Sequence, residues 1–142
     1  MKKAAIIFFL ASMFLCGCVS REYTFPNKDQ PIESVEMLYN PHANNGNIGG
    51  DMEILRSLTI EEAYSLLQAL YKLETGRCTT PPPTGYGFYV IRVTYTNGDV
   101  EIFGSRHIEF IENGDEPKWI GSYYFPGDAF LDLFSQYVEI EE

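Results

Sequence analysis

Two cysteines near the start of the 142-residue chain are the first residues whose type and spacing suggest chemistry. Cys16 and Cys18 are separated by one glycine and directly follow an apolar run from Ala4 to Leu15. Such a pair could be a thiol pair, half of a metal site or a processing signal. These three alternatives place the protein in different compartments, so the residues around the pair decide the interpretation.

The residues around the pair favour the processing signal. The chain begins with Lys2 and Lys3, continues with the apolar run and reaches the small residue Gly17 just before Cys18. A basic start, a short apolar stretch and a small residue are typical of a secretory signal peptide. The run of about twelve residues is too short to span a bilayer as a helix, which takes roughly twenty.

The motif Leu15-Cys16-Gly17-Cys18 resembles the lipobox of bacterial lipoproteins, with Cys16 where alanine, serine or threonine is more usual. The resemblance implies cleavage before Cys18 and attachment of diacylglycerol to its sulfur. It therefore implies an extracytoplasmic protein that acyl chains anchor to a bacterial membrane. Cys16 would leave with the signal peptide, and no thiol pair would remain. The resemblance covers only about the first twenty residues.

Three further residues could do chemistry in the domain that follows. Cys78 and His107 are a thiol and a base that a small hydrolase could use, and His107 and Glu109 lie two apart on a predicted strand, so both project to one side. A zinc site needs a third protein ligand and usually a fourth partner, and the sequence offers none at a recognisable spacing. We therefore predict no metal, no cofactor and no catalytic residue, and interpret Cys78 as an incidental thiol.

A loop rich in asparagine and glycine offers side-chain oxygens from Asn44, Asn45, Asn47 and Asp51. Calcium prefers such oxygen ligands, but the spacing does not fit an EF-hand, which needs alternating ligands before its glycine and a glutamate at the twelfth position. We interpret the segment as a plain connecting loop.

The charge of the chain restricts its partners. Ten basic and twenty acidic residues give a formal net charge of −10, and removal of Lys2 and Lys3 with the signal changes it to −12. Nucleic acid and anionic lipid headgroups are therefore unsuitable partners for the domain itself, since binding a polyanion requires a basic surface. A basic protein or peptide, or an uncharged ligand such as a glycan, is compatible with this charge.

The rest of the sequence predicts one α+β domain. Residues 1–17 are the signal peptide, the polar and proline-punctuated residues 18–31 are a tether, and 32–142 are the domain. Alternation and turn signals predict an antiparallel sheet of about five strands with two helices on one side, in the order β-β-α-β-β-β-α. A capping box at Thr59 and Glu62 begins the first helix, which is expected to end at Gly76. Asp128 is expected to cap the second helix.

The clearest hairpin surrounds Asn97-Gly98, for which we predict a two-residue loop. That loop pairs Tyr95 with Val100 and places six residues on the face opposite the core: Phe88, Val90, Arg92, Thr94, Glu101 and Phe103. An apolar cluster on an open face often marks an interaction site. We therefore predict partner binding through Phe88, Val90, Arg92, Glu101 and Phe103. The alternative is that the tether folds back to cover this face with Tyr23 and Phe25.

The sequence leaves two classes of function open. The first is a non-enzymatic envelope module that binds a protein, a peptide or a glycan. The second is a small envelope hydrolase that uses Cys78 or His107. We favour the first, because an enzyme needs a nucleophile, a base and an orienting group in a recognisable context.

Overall fold

The computed structural model describes residues 22–43, 51–78, 86–114 and 122–140. The predicted signal peptide, the lipobox with Cys18 and the loop residues Asn44, Asn45 and Asn47 lie outside these ranges. Across the four ranges, every helix is too short or too polar to cross a bilayer.

The described residues form one large sheet, one small sheet and two helices. In chain order they are β1 (Ile32–Tyr39), β2 (Glu53–Ser57), α1 (Ile60–Leu70), β3 (Gly76–Cys78), β4 (Tyr89–Tyr95), β5 (Val100–Gly104), β6 (Ile108–Ile111), β7 (Ser122–Tyr124) and α2 (Ala129–Phe134). The large sheet is antiparallel with strand order β2-β1-β4-β5-β6, and β3 pairs separately with β7. The predicted α+β class is confirmed, and the short β3–β7 ladder is an addition to the predicted order.

A single main core lies between the helices and one face of the large sheet. The buried helix residues of this core are Ala63, Leu66, Leu67 and Leu70 from α1 and Phe130, Leu133 and Phe134 from α2. On the sheet side, Met37 of β1 and Ile91 of β4 are fully buried. An antiparallel sheet needs to bury only one face. We call this face the helix-covered face and the other one the open face.

The start of α1 forms as predicted, but its end does not. The Glu62 N–H donates to Thr59 Oγ1 at 3.4 Å, and the Thr59 N–H donates to Glu62 Oε2 at 3.0 Å. This reciprocal pair satisfies two donors that the helix itself leaves free. The helix ends at Leu70, whereas Gly76 begins β3 with its Cα against the Tyr124 ring. The prediction of Gly76 as a helix cap is therefore wrong.

The second helix is shorter than its apolar stripe predicts. Asp128 occupies the N-cap position of α2 but its side chain makes no capping hydrogen bond, and the preceding Gly127 has a φ of +67°. The helix ends at Phe134, so Tyr137 and Val138 pack against the core as half-buried residues beyond it.

The β4–β5 hairpin has a three-residue loop instead of the predicted two-residue loop. The Tyr95 N–H donates to the Asp99 carbonyl, and the Gly98 N–H donates to the Tyr95 carbonyl, both at 2.9 Å. Within this loop only Gly98 has a positive φ, +89°, whereas a type I′ turn requires one at both central residues. Val93 consequently pairs with Glu101. The predicted register is wrong by one residue, which moves each β5 side chain to the other face.

The described part of the predicted tether, residues 22–31, is packed into the domain. Tyr23 is 5% exposed, and its N–H donates to Thr75 Oγ1 at 2.7 Å. Phe25 packs against Tyr71 and Phe103 with ring centroids at 4.6 and 5.9 Å. The segment therefore completes the helix-covered core instead of forming a free tether. The alternative that it folds back with Tyr23 and Phe25 is confirmed in part: the two rings contact Glu101 and Phe103, but on the helix-covered face and not on the open face.

Candidate functional site

The residues predicted to form a partner surface do not share a face. The set was Phe88, Val90, Arg92, Glu101 and Phe103. Glu101 pairs with Val93 and Phe103 pairs with Ile91, so both lie on the helix-covered face, where each is 0% exposed. The one-residue change in hairpin register turns Glu101 and Phe103 inward. The prediction that all five residues form one open face is therefore wrong.

The other three members of that set differ in exposure. Val90 is buried against Tyr86, which covers part of the open face. Arg92 donates to Glu36 Oε2 from Nε at 2.8 Å and from Nη2 at 2.5 Å. Phe88 is 37% exposed and is the apolar member of the set that solvent reaches. A binding role for these three residues stays a prediction.

An exposed apolar surface lies at the end of the sheet where β1 ends. Phe88 stacks on Tyr39 with ring centroids 6.2 Å apart, and its carbonyl accepts a hydrogen bond from the Asn40 N–H at 2.7 Å. On the neighbouring strand β2, Ile54 and Leu55 are 56% and 40% exposed. Ile54 pairs with Leu38, so its side chain points to the open face, whereas Tyr39, the next residue of β1, points to the helix-covered face. We call Tyr39, Ile54, Leu55 and Phe88, which lie at this end of the sheet but not on one face, the Phe88 surface.

The strand β2 also gives this surface a backbone edge. All five residues of β2 are exposed, and within the described ranges its one strand neighbour is β1. The outer N–H and C=O groups of an edge strand can pair with an extended segment of another chain. The ladder between β1 and β2 carries an irregularity between Met37 and Leu38, so a regular edge extends over only part of β2.

A buried carboxyl group surrounded by tyrosines lies in the main core. The Tyr23 hydroxyl donates to Glu101 Oε1 at 3.1 Å, and the Tyr95 hydroxyl donates to Oε2. The Tyr71 hydroxyl lies 3.3 Å from the Tyr95 hydroxyl. Each carboxyl oxygen therefore has a partner, as a buried polar group requires. We call these four residues the Glu101 cluster.

Burial controls the protonation of the Glu101 cluster. It raises the pKa of Glu101 to about 7, with a further rise from Asp99, while the hydrogen bonds from Tyr95 and Tyr23 act in the opposite direction. Burial and the charge of Glu101 also raise the pKa of both tyrosines, which therefore remain hydrogen-bond donors. Glu101 is thus a carboxyl group that changes its charge near neutral pH, a property shared by functional sites and structural networks.

The Glu101 cluster was not predicted from the sequence, because the predicted hairpin register turned Glu101 outward. A three-residue loop ending at Gly98 is a common alternative to the two-residue loop, and it would have placed Glu101 inward. Tyrosine supplies a second signal, since its hydroxyl usually finds a partner when the ring is buried. No local pattern, however, connects Tyr23 with Glu101 across 78 positions.

A groove of about 380 Å³ lies beside the Glu101 cluster, and Tyr23 and Tyr71 belong to both. Its charged residues are two lysines and two glutamates: Lys28, Lys72, Glu22 and Glu74. A second groove beside α2 is lined by three acidic residues and no basic ones: Asp128, Asp132 and Glu139. The first groove is therefore electrically balanced, whereas the second is acidic.

His107 and Glu109 lie on the open face, where both contact Tyr86. The Tyr86 hydroxyl donates to Glu109 Oε2, and its ring lies 5.3 Å from the His107 ring. Burial lowers the pKa of His107 and raises the pKa of Glu109, so it favours the neutral form of each. Nδ1 of His107 is buried without a hydrogen-bond partner among the described residues. The prediction that both side chains project to one side is confirmed by their shared contact with Tyr86, and the pairing of Glu109 with Ile102 places Glu109 on the open face.

The metal site and the Cys78–His107 pair are the other two kinds of chemistry that the sequence raised. Among residues 22–43, 51–78, 86–114 and 122–140, no three His, Cys, Asp or Glu side chains are close enough to hold a metal ion. Cys78 is the last residue of β3, where it pairs with Ser122. The Cys78 side chain lies outside what the structure describes, so its pairing with His107 in a hydrolase stays a prediction.

Comparisons with known proteins identify no relative: no family model, no curated protein and no solved structure matches the chain.

Proposed function

We propose that this chain is an extracytoplasmic lipoprotein, anchored to a bacterial membrane through lipid on Cys18. Its domain is a non-enzymatic module that binds a protein, a peptide or a glycan. The motif Leu15-Cys16-Gly17-Cys18 after a short apolar run supports the anchor. The domain carries no motif of its own for an activity, so support for a binding role comes from its surface.

The observation that carries the binding role is the Phe88 surface. Phe88 and Ile54 are 37% and 56% exposed at the same end of the sheet, Phe88 stacked on Tyr39 and Ile54 on the edge strand β2 itself. Exposed apolar side chains grouped at one end of a sheet support an interaction site there. An edge strand next to apolar side chains suits an extended protein or peptide segment, since backbone pairing supplies affinity and the side chains supply specificity.

Three polar groups of the domain have internal partners. Glu101 accepts hydrogen bonds from two tyrosines in the core, and Glu109 accepts one from Tyr86. Arg92 is paired with Glu36. The hydrolase that uses Cys78 or His107 is the alternative function, and Nδ1 of His107 has no hydrogen-bond partner among the described residues.

The lipid anchor is tested by replacing its cysteine. We expect Cys18→Ser to leave an unprocessed precursor that incorporates no labelled fatty acid, because the serine hydroxyl offers no thiol for the diacylglycerol transfer. Cys16→Ser is the matched control, since serine is a usual residue at that position of a lipobox, and it should be processed and labelled normally. Normal labelling of Cys18→Ser would refute the anchor.

Binding is tested at the exposed aromatic residue. We expect Phe88→Ser to reduce the amount of partner recovered with tagged protein from solubilised membranes, because it removes the ring that stacks on Tyr39. Tyr64→Ser is the matched control: Tyr64 is an aromatic residue that is 48% exposed on α1 and does not belong to the Phe88 surface. Equal recovery with both variants and the unchanged protein would exclude the Phe88 surface as the partner site.

A further inference from the structure

Packing of residues 22–31 into the domain leaves a very short link to the predicted lipid anchor. Three residues lie between Cys18 and Glu22, and the four residue-to-residue steps that join these two residues span at most about 14 Å even when fully extended. We infer that the domain lies with one particular end against the membrane, namely the groove end, which we define as residues 22–25, Lys28 and residues 71–75. The partner of this end is a lipid surface, and the inference rests on the proposed anchor at Cys18.

The chain is firmly attached to the domain at the point where the link ends. Tyr23 is buried, its N–H donates to Thr75 Oγ1 and its hydroxyl donates to Glu101. Its ring also packs edge-on against Phe25 and Tyr123, with centroids at 5.0 and 5.1 Å. Because both the backbone and the side chain of Tyr23 are held, the link begins at Glu22 and cannot lengthen without breaking these core contacts.

The distance across the sheet exceeds the reach of the link. The hydroxyls of Tyr71 and Tyr95 approach each other near the β4–β5 hairpin, where the Thr96 N–H also donates to the Pro31 carbonyl. Tyr39 lies at the other end of β1, eight residues away in an extended strand, which corresponds to about 26 Å. The groove end is therefore close to the anchor, and the end that carries Tyr39 is remote from it.

The charge of the groove end is compatible with a membrane surface. Its two lysines offset its two glutamates, although the chain without its signal peptide carries −12. The groove beside α2 has only acidic charged residues and would be repelled by anionic headgroups. Phe25 and Tyr71 add half-buried aromatic rings to the wall of the groove end, and tyrosine suits a membrane interface because its ring is apolar and its hydroxyl is polar.

This orientation places the Phe88 surface on the side away from the lipid. Ile54 of β2 pairs with Leu38, and Tyr39 pairs with Tyr89 of β4, so the residues of the Phe88 surface lie at the remote end of the sheet. A partner in the surrounding space can then reach the edge strand without displacing lipid.

The orientation is tested on vesicles, with the lipid coupled chemically so that cellular processing plays no part. A chain that starts at Cys18 and carries Cys78→Ser is coupled through Cys18 to a maleimide lipid. A donor dye is attached at an azide-bearing residue that replaces Glu74 at the groove end or, as the matched control, Glu53 at the remote end. Both glutamates are exposed. An acceptor dye is placed on the lipid headgroups of vesicles that contain anionic lipid, and energy transfer from the donor is measured.

We expect donor emission to be lost strongly at position 74 and weakly at position 53. Insertion of twenty glycine and serine residues after Val19 should reduce this difference, because the mean span of such a link grows to about 25 Å. Equal energy transfer at both positions, or stronger transfer at 53, would overturn the orientation. Normal fatty-acid labelling of Cys18→Ser in cells would instead refute the anchor itself, so the two failures are distinguishable.

Discussion

Replacement of Phe103 by alanine is expected to lower the free energy of unfolding by about 3–5 kcal/mol, the usual cost of deleting a large aromatic side chain from a packed core. Phe103 is 0% exposed, and its ring contacts Phe25 and Phe125 with centroids at 5.9 and 6.4 Å. The variant leaves a cavity among aromatic rings that backbone contacts hold in place. Urea unfolding followed by tyrosine and tryptophan fluorescence measures the loss.

Phe88→Ala is the matched control, because the same side chain is removed from a residue that is 37% exposed. Its stacking on Tyr39 limits the expected loss to about 1 kcal/mol. A loss at Phe103 no larger than that at Phe88 would contradict the register in which Phe103 pairs with Ile91. The same comparison separates a residue of the core from a residue of the Phe88 surface, two groups that the predicted two-residue loop had merged.

Replacement of Glu101 by glutamine is expected to change how stability depends on pH. The pKa of Glu101 rises from 4.5 to about 7 in the folded protein, so the folded state holds the proton more tightly than the unfolded state. The stability that this group contributes is therefore complete below pH 4.5, decreases as the pH rises towards 7 and is lost above that. A pKa difference of this size between the unfolded and the folded state corresponds to about 3 kcal/mol of folding free energy.

Glutamine preserves the contacts of the protonated carboxyl while removing the titration. Its amide oxygen can accept from one tyrosine hydroxyl, and its NH₂ can donate to the other. We therefore expect Glu101→Gln to be more stable than the unchanged protein at pH 8 and similar to it at pH 4.5, measured by urea unfolding at a series of pH values. The comparison between the two proteins cancels the opposite contribution of His107, whose pKa is lowered by burial.

Glu61→Gln provides the control for the loss of one negative charge, since Glu61 is exposed in the first turn of α1. It should leave the decrease in stability between pH 4.5 and 7 in place. If Glu101→Gln retained the full pH dependence of the unchanged protein, Glu101 would not be the titrating group, and its burial among Tyr23 and Tyr95 would have to be abandoned.

The Glu101 cluster connects the segment that follows the proposed anchor with the central part of the large sheet. Tyr23 belongs to the segment that leads to Cys18, and its hydroxyl bonds to Glu101 on β5. The contact therefore joins the residues next to the proposed anchor to the centre of the sheet. It also explains why the segment before β1 is part of the folded domain, although its polar, proline-punctuated composition is typical of a tether.

Elements with a strong local signal were predicted correctly. The capping box at Thr59 and Glu62 begins α1, and its apolar spacing places Leu66 and Leu70 in the core. Both features depend on residues within one or two turns of each other, so no distant contact is needed to form them. The hairpin around Asn97-Gly98 and the α+β class follow from similarly local patterns.

Which side chains of the β4–β5 hairpin point into the core depends on contacts with residues outside the hairpin. Asp99 accepts hydrogen bonds through Oδ2 from the Asn97 side chain and through Oδ1 from the Asn113 N–H, the latter across 14 positions. These bonds hold Asp99 beside the three-residue loop, and the resulting register turns Glu101 inward. Two-residue and three-residue loops are both compatible with an Asn-Gly pair, so the local sequence alone did not distinguish them.

The sequence by itself determined the local elements of this protein: the strands and their alternation, α1 with its cap, and the lipobox-like motif before the domain. Only the tertiary structure decided which side chains meet, and thereby the Glu101 cluster, the Phe88 surface and the short link between Cys18 and Glu22. The physical reason is the separation along the chain between the residues that interact. Helix caps and strand alternation arise from neighbours along the chain, whereas the packing of Tyr23 against Thr75 and Glu101 joins residues 52 and 78 positions apart.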